Sequence, residues 1–153
     1  MKDVRGKTVL VTGAASGIGF CTAEEFAKAG ATLVLTDIQA EALERAAEKL
    51  RGFGATVHAR VVDVTNREQV DALAKWVIDD LGGLDILVNN AGIGHHGELA
   101  DTSLETWKKL MDVNLWGPLY HIYAFLPSMT ARGSGHIVNV SSGQAFFRMP
   151  TWG

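Results

Sequence analysis

The residues with the clearest chemical potential are glycines. Thr12-Gly13-Ala14-Ala15-Ser16-Gly17-Ile18-Gly19 follows the β-rich run Thr8-Val9-Leu10-Val11-Thr12 and opens a helical pattern, which is where an anionic phosphate meets unpaired backbone amides and the positive end of a helix. In that setting Gly13 permits a tight turn, Gly17 leaves room for a pyrophosphate and Gly19 allows close helix packing. The spacing is Gly-x3-Gly-x-Gly rather than the common dinucleotide fingerprint Gly-x-Gly-x-x-Gly. Taken alone, the loop also reads as glycines serving only a turn.

Asp37 supplies an independent signal. It ends the second β-rich run, 18 residues after Gly19, where a carboxylate accepts hydrogen bonds from the hydroxyls of an adenosine ribose. A 2′-phosphate about 4 Å from that carboxylate would be repelled by up to ~4 kcal/mol at an effective dielectric near 20. Neither Ser16 nor Ile38 is basic, so the expected cofactor is NAD rather than NADP. The alternative is that Asp37 caps a helix before Ile38-Gln39.

Such residues need a scaffold, and the chain alternates short β-rich runs with longer helical patterns. Strands are expected over 8–12, 32–36, 56–62, 85–88 and 136–140. Helices are expected from the glycine loop to about Ala29, with Gly30 as a stop, and over 41–50, where Leu43, Ala46, Ala47 and Leu50 share a face. Thr65-Asn66-Arg67-Glu68 and Thr102-Ser103-Leu104-Glu105 have the spacing of capping boxes and open two more helices. The last opens at Thr102 and reaches Met129 with two apolar stripes: Leu104, Trp107, Met111, Leu115, Leu119, Ile122 and Leu126, then Val113, Trp116, Tyr120 and Tyr123. One stripe is expected to face the sheet, the other a neighbouring helix or a second subunit. Right-handed crossovers give an α/β, doubly wound parallel sheet of Rossmann-like type, truncated after its fifth strand.

Composition narrows the classes further. With 153 residues, 47% hydrophobic and 20% charged, the sequence describes one globular domain. The single Cys21 allows no internal disulfide, which suits a cytoplasmic location; it reads as helix packing rather than a nucleophile. No apolar segment approaches the ~20 residues of a spanning helix, so no membrane partner is expected. Fourteen basic against 17 acidic side chains, without a basic run, argue against nucleic acid. His95-His96 lacks a third ligand at metal spacing, so no metal is expected. As loop residues these histidines, like Gln144 and Phe146, are candidates to line a substrate pocket.

Asn89-Asn90-Ala91-Gly92 follows the fourth strand and Asn139-Val140-Ser141-Ser142 closes the fifth, which brings both to the sheet edge that carries the glycine loop. With Thr-Gly-x3-Gly-Ile-Gly, the acidic Asp37, Asp63-Val64, Asn-Asn-Ala-Gly, Asn114 and the serine strand all in order, the sequence resembles a short-chain dehydrogenase/reductase over nearly its whole length. The resemblance implies an oxidoreductase moving a hydride between NAD and a secondary alcohol or ketone. Gly13, Ser16, Gly17, Ile18, Gly19 and Asp37 would bind the cofactor, Asp63 and Val64 its adenine, and Asn90, Ala91 and Gly92 its ribose and nicotinamide side. Asn90 equally reads as a tie between neighbouring strands. Ser142 would hold the substrate oxygen, with Ser141 as backbone lining, and Asn114 would hold a water in a proton relay.

That family's proton donor is a tyrosine in a Tyr-x-x-x-Lys motif, because a phenol of pKa near 10 needs a neighbouring cation to work at ordinary pH. Tyr120 and Tyr123 precede the serine strand, and neither has a lysine four residues onward. The expectation is that residues 1–153 form a dinucleotide-binding domain incomplete at its C-terminal end, inactive alone and homo-oligomeric through the long helix. The alternative is a catalytically silent dinucleotide-binding or scaffold protein.

Overall fold

Five runs rich in valine, leucine and isoleucine become five parallel strands: β1 (Thr8–Thr12), β2 (Thr32–Asp37), β3 (Val57–Val61), β4 (Ile86–Asn89) and β5 (His136–Asn139). In the computed structural model, which describes residues 3–143 and Phe146, they lie in the order β3-β2-β1-β4-β5. Gln144, named above as a pocket candidate, lies outside the described residues. Helices α1 (Gly17–Lys28), α2 (Ala40–Arg51), α3 (Arg67–Leu81), α4 (Leu104–Met111) and α5 (Gly117–Ala131) connect the strands. No helix among the described residues is long and apolar enough to cross a membrane.

Every residue of β1 and β4 is buried, because helices cover both faces of a parallel sheet. The alternation of strand side chains sorts them into two layers. Val9, Val11, Leu33 and Leu35 pack with Ala23 and Ala27 of α1 and Leu43, Ala47 and Leu50 of α2. Leu10, Val34 and Leu87 face the other way, onto Val70, Leu73 and Val77 of α3 and Phe125 and Met129 of α5. Each such full burial is worth roughly 1.5–3 kcal/mol. Strand order reverses between β1 and β4, and in open α/β sheets that reversal leaves a crevice at the carboxyl ends of the strands.

Two helix starts are displaced by one residue from their expected caps. Asn66 accepts from the Gln69 amide at 3.1 Å and Ser103 from the Thr106 amide at 3.1 Å, whereas Thr65 and Thr102 bond elsewhere, to Asp63 and to the Glu98 carbonyl. In both cases two capping residue types stand side by side, and spacing selected the wrong member.

The long helix departs further from expectation. Leu104–Met111 and Gly117–Ala131 are α-helical, but Asp112–Trp116 between them forms a π turn. The residues facing inward are Leu110, Gly117, His121, Phe125 and Met129. Neither expected stripe supplies that line: Leu104, Met111, Leu115 and Leu126 of the first are exposed, as are Trp116 and Tyr123 of the second. The cause is that two inward positions are not apolar by type. Gly117 packs closely, since a Cβ there would stand 3.0 Å from the Val64 side chain. His121 is fully buried, its Nδ1 2.9 Å from the Gly117 carbonyl and its Nε2 without a partner among the described residues.

Burial lowers the pKa of His121 below the ordinary imidazole value of 6.5, against a smaller opposing effect of the Gly117 carbonyl. The unfolded chain therefore takes up a proton that the folded helix refuses, so stability is full above about pH 6.5 and falls as pH drops toward the folded-state pKa. His58 acts in the same direction, lowered by burial and by the charges of Arg60 and Arg51. Thermal midpoints followed from roughly pH 8 to 5 should decline. His121→Leu should flatten that decline, and an unchanged slope in this variant would assign the titration to another group.

Candidate active site

At the carboxyl end of β1 the chain turns through Gly13, at φ +66°, and reaches α1 through Gly17, at φ +55°. Both angles lie in the left-handed region that side chains avoid. Nothing lies within 4 Å of where a Cβ on Gly17 would stand, so this residue opens a space. Gly19 does the opposite. A Cβ there would lie 2.2 Å from the Gly13 carbonyl oxygen and 2.5 Å from Asn90 Nδ2, so Gly19 folds the start of α1 onto its own loop rather than onto the sheet. Ser16 is the residue before the helix, and its side chain makes no capping bond. Helical geometry leaves the first-turn amides of α1 without intrahelical acceptors, and no acidic residue occupies that turn. Ile18 stands beside them, 68% exposed.

The loop is fastened to β4 by Thr12 and Asn90. Thr12 Oγ1 accepts from the amides of Asn90 and Ala91, both at 3.0 Å, while Asn90 Nδ2 donates to the carbonyls of Thr12 at 2.9 Å and Gly13 at 3.2 Å. The side-chain donors of Asn90 are thus engaged in joining β1 to β4, one of the two roles open from the sequence. Thr12 heads the glycine motif, but the motif's spacing assigns its hydroxyl no role of its own.

Asp37 closes the other side of the loop. Its Oδ2 accepts from the Ala15 amide at 3.2 Å and its Oδ1 from the Gln39 amide at 3.0 Å. The second bond is an Asx turn that leads into α2, whose first helical residue follows Gln39. The carboxylate therefore steers α2 and is also fixed against the glycine loop. Asp63 is held in a similar turn, its Oδ1 accepting from the Thr65 amide and hydroxyl at 2.9 and 2.8 Å. Val64 is buried against Gly117.

The second half of the site lies past β4 and β5. A cleft of about 640 Å³ is lined by Asn90, Ala91 and Gly92 on one side and by Asn114, Ser141 and Ser142 on the others. Asn114 stands within the π turn and grips the loop after β4: its Oδ1 accepts from the Ile93 amide at 2.9 Å and its Nδ2 donates to the Ile93 carbonyl at 2.8 Å. On the cleft floor Asn89 Nδ2 donates to Asn139 Oδ1 at 2.9 Å, across the paired ends of β4 and β5. That pairing was also missed, since its members stand 50 residues apart. His95, His96 and Phe146 do not line the cleft, although Ile93 and Gly94 do.

The site thus brings together open space beside the first-turn amides of a helix, a fixed carboxylate and an adjacent cleft carrying serines and an asparagine. Residues 7–153 match the family described as short chain dehydrogenase. Estradiol 17-beta-dehydrogenase 11 of Homo sapiens is 44% identical over 149 residues, 97% of this chain and 50% of the relative. A short chain dehydrogenase/reductase from Burkholderia phymatum in complex with NAD superposes with a TM-score of 0.95 at 37% identity, covering 99% of this chain and 54% of that one. A metagenomic short-chain oxidoreductase in complex with NADP gives 0.93 at 33% identity, over 97% of this chain and 68% of that one. The chain spans about half the length of the curated relatives it matches. With the family model matched over residues 7–153, the chain belongs to the short chain dehydrogenase family.

Proposed function

We propose that residues 1–153 are the dinucleotide-binding domain of an oxidoreductase that transfers a hydride between NAD(H) and a secondary alcohol or ketone. The observation that carries this reading is the crevice at Gly17, where open space, the first-turn amides of α1 and the carboxylate of Asp37 meet on one loop. Those features fit a dinucleotide: the amides of Gly17, Ile18 and Gly19 with Ser16 take the pyrophosphate, and Asp37 takes the adenosine ribose hydroxyls. Asp63 and the main chain of Val64 receive the adenine, while Ala91, Gly92 and the main chain of Asn90 run beside the nicotinamide half. When bound, the nicotinamide supplies the hydride chemistry.

The protein's part is position and proton traffic. Ser142 holds the substrate oxygen by a hydrogen bond. Asn114, whose carboxamide is engaged with Ile93, offers a relay water its main-chain carbonyl. Neither Tyr120 nor Tyr123 lines the cleft; by family resemblance the acid–base group is a tyrosine beside a lysine. The human relative's name, an estradiol 17-beta-dehydrogenase, supports a secondary alcohol as the substrate class. Self-association through α4 and α5 belongs to the same reading, supported by exposed Leu104, Met111, Leu115, Trp116, Tyr123 and Leu126. So does a cytoplasmic location, supported by the single, unbridged Cys21.

Isothermal titration of the complete gene product tests the cofactor: NAD is expected to bind more tightly than NADP, and the reverse order would overturn the role given to Asp37. Gly17→Ala should weaken NAD at least tenfold while costing the fold only about 1–2 kcal/mol for a left-handed alanine. Gly19→Ala should destabilise the fold itself by about 1–3 kcal/mol, since its Cβ collides with backbone; denaturant midpoints separate the two. Ser142→Ala should lower turnover at least a hundredfold with NAD affinity unchanged. Parallel loss of affinity and turnover in that variant would place Ser142 in cofactor binding instead.

A further inference from the structure

Neither Arg67 nor Tyr120 lines the cleft, yet together they join α3 to the π turn that carries Asn114. The Arg67 guanidinium lies over the Tyr120 ring, 5.7 Å from its centroid, within reach of the attraction between a cation and a ring face. Tyr120 in turn stacks on Trp116, with centroids 6.3 Å apart and planes inclined by 28°, a separation at which aromatic pairs attract. Arg67 is the first residue of α3 and Trp116 the last of the π turn, so this ladder ties the start of one helix to the irregular stretch of another. Arg67 also pairs with Asp71 at 3.4 Å, but both side chains are more than half exposed, and an ion pair of that kind holds little. Beside the ladder, Val64 packs against Gly117, the residue after the turn, so closely that a Cβ there would stand 3.0 Å from its side chain.

A π turn accommodates an extra residue, and the helix itself does not dictate which of its turns takes it up. Each residue of an α-helix advances the side-chain direction by about 100°, so moving the extra residue from one side of Asn114 to the other would swing its carboxamide away from Ile93. Two hydrogen bonds to Ile93 hold the turn from the cleft side. The ladder and Val64 hold it from the side of α3. We infer that Arg67 and Tyr120 are positioning residues: through Trp116 they pin the irregularity at Asp112–Trp116 and so keep Asn114 fastened to the loop after β4. This rests on the role proposed for Asn114 and deepens it, since the placing of that residue is set by a cation and two rings that never meet the substrate.

Amide hydrogen exchange in the complete gene product reads the brace directly, because the Ile93 amide donates to Asn114 Oδ1. Tyr120→Leu removes the ring and Arg67→Gln the cation; the second, at an exposed position, carries the test if the first folds poorly. Each is expected to quicken exchange at Ile93 at least fivefold with the amides of β1 unchanged, and to lower kcat at least fivefold with NAD affinity within twofold of the unmodified protein. Tyr120→Phe and Arg67→Lys, which keep the ring and the cation, should bring both readouts back to within twofold. Asp71→Asn, which removes only the ion pair, should leave them unmoved. Unchanged Ile93 exchange in a folded variant, or a rise shared equally by β1 and so due to a general loss of stability, overturns the inference. Faster Ile93 exchange without loss of turnover leaves the brace standing and sinks the role proposed for Asn114 instead.

Discussion

The structure depends on a clasp between two strand ends. Four hydrogen bonds link Thr12 and Gly13 to Asn90 and Ala91, and in doing so they join the glycine loop of β1 to the loop that leaves β4. Asn90 Nδ2 also fills the space beside Gly19, which is why that residue has no side chain. One carboxamide thereby sets both the floor of the crevice and the wall of the neighbouring cleft. A typical buried hydrogen bond contributes about 1 kcal/mol net, but breaking one side of such a set leaves buried donors unmet at about 1–3 kcal/mol each. The clasp is correspondingly unforgiving of substitution.

Asp37 and Asn114 extend the same logic outward. Each uses a polar side chain to hold main chain from another element: Asp37 fixes Ala15 against the end of β2, and Asn114 fixes Ile93 against the helix. Loops at the carboxyl edge of a parallel sheet have no ladder of their own, so their backbone groups must find partners among side chains. The functional edge of this molecule is therefore also the edge where polar side chains do structural duty, and separating the two roles at any one residue requires measuring binding and stability together.

Much of this was legible in the chain. Buried parallel strands announce themselves as apolar runs such as Leu33-Val34-Leu35, and α2 shows its inward Leu43, Ala46, Ala47 and Leu50 at helical spacing, as found. Gly13 and Gly17 both take positive φ, and nothing stands near a Cβ on Gly17, features of backbone and space that follow from the lack of a Cβ. What spacing could not show was contact between distant segments. Thr12 meets Asn90 across 78 residues and Asn89 meets Asn139 across 50. The helix after residue 102 misled for another reason: hydrophobicity marks what a side chain prefers, while Gly117 and His121 face inward because of size and a local hydrogen bond. Its exposed apolar residues then look like a core face.

The π turn at Asp112–Trp116 has a consequence for how this segment tolerates changes of length. A turn of that kind is an α-helix carrying one residue in excess, absorbed locally, so the helix on either side keeps the facing it would have without the surplus. Deleting one residue between Met111 and Gly117 would restore an ordinary α-helix and leave Leu110 and Phe125 inside, while the bulge that presents Asn114 to the cleft, and its grip on Ile93, would be lost. The length of this stretch is thus constrained by what it holds at the sheet edge and not by the packing beneath it.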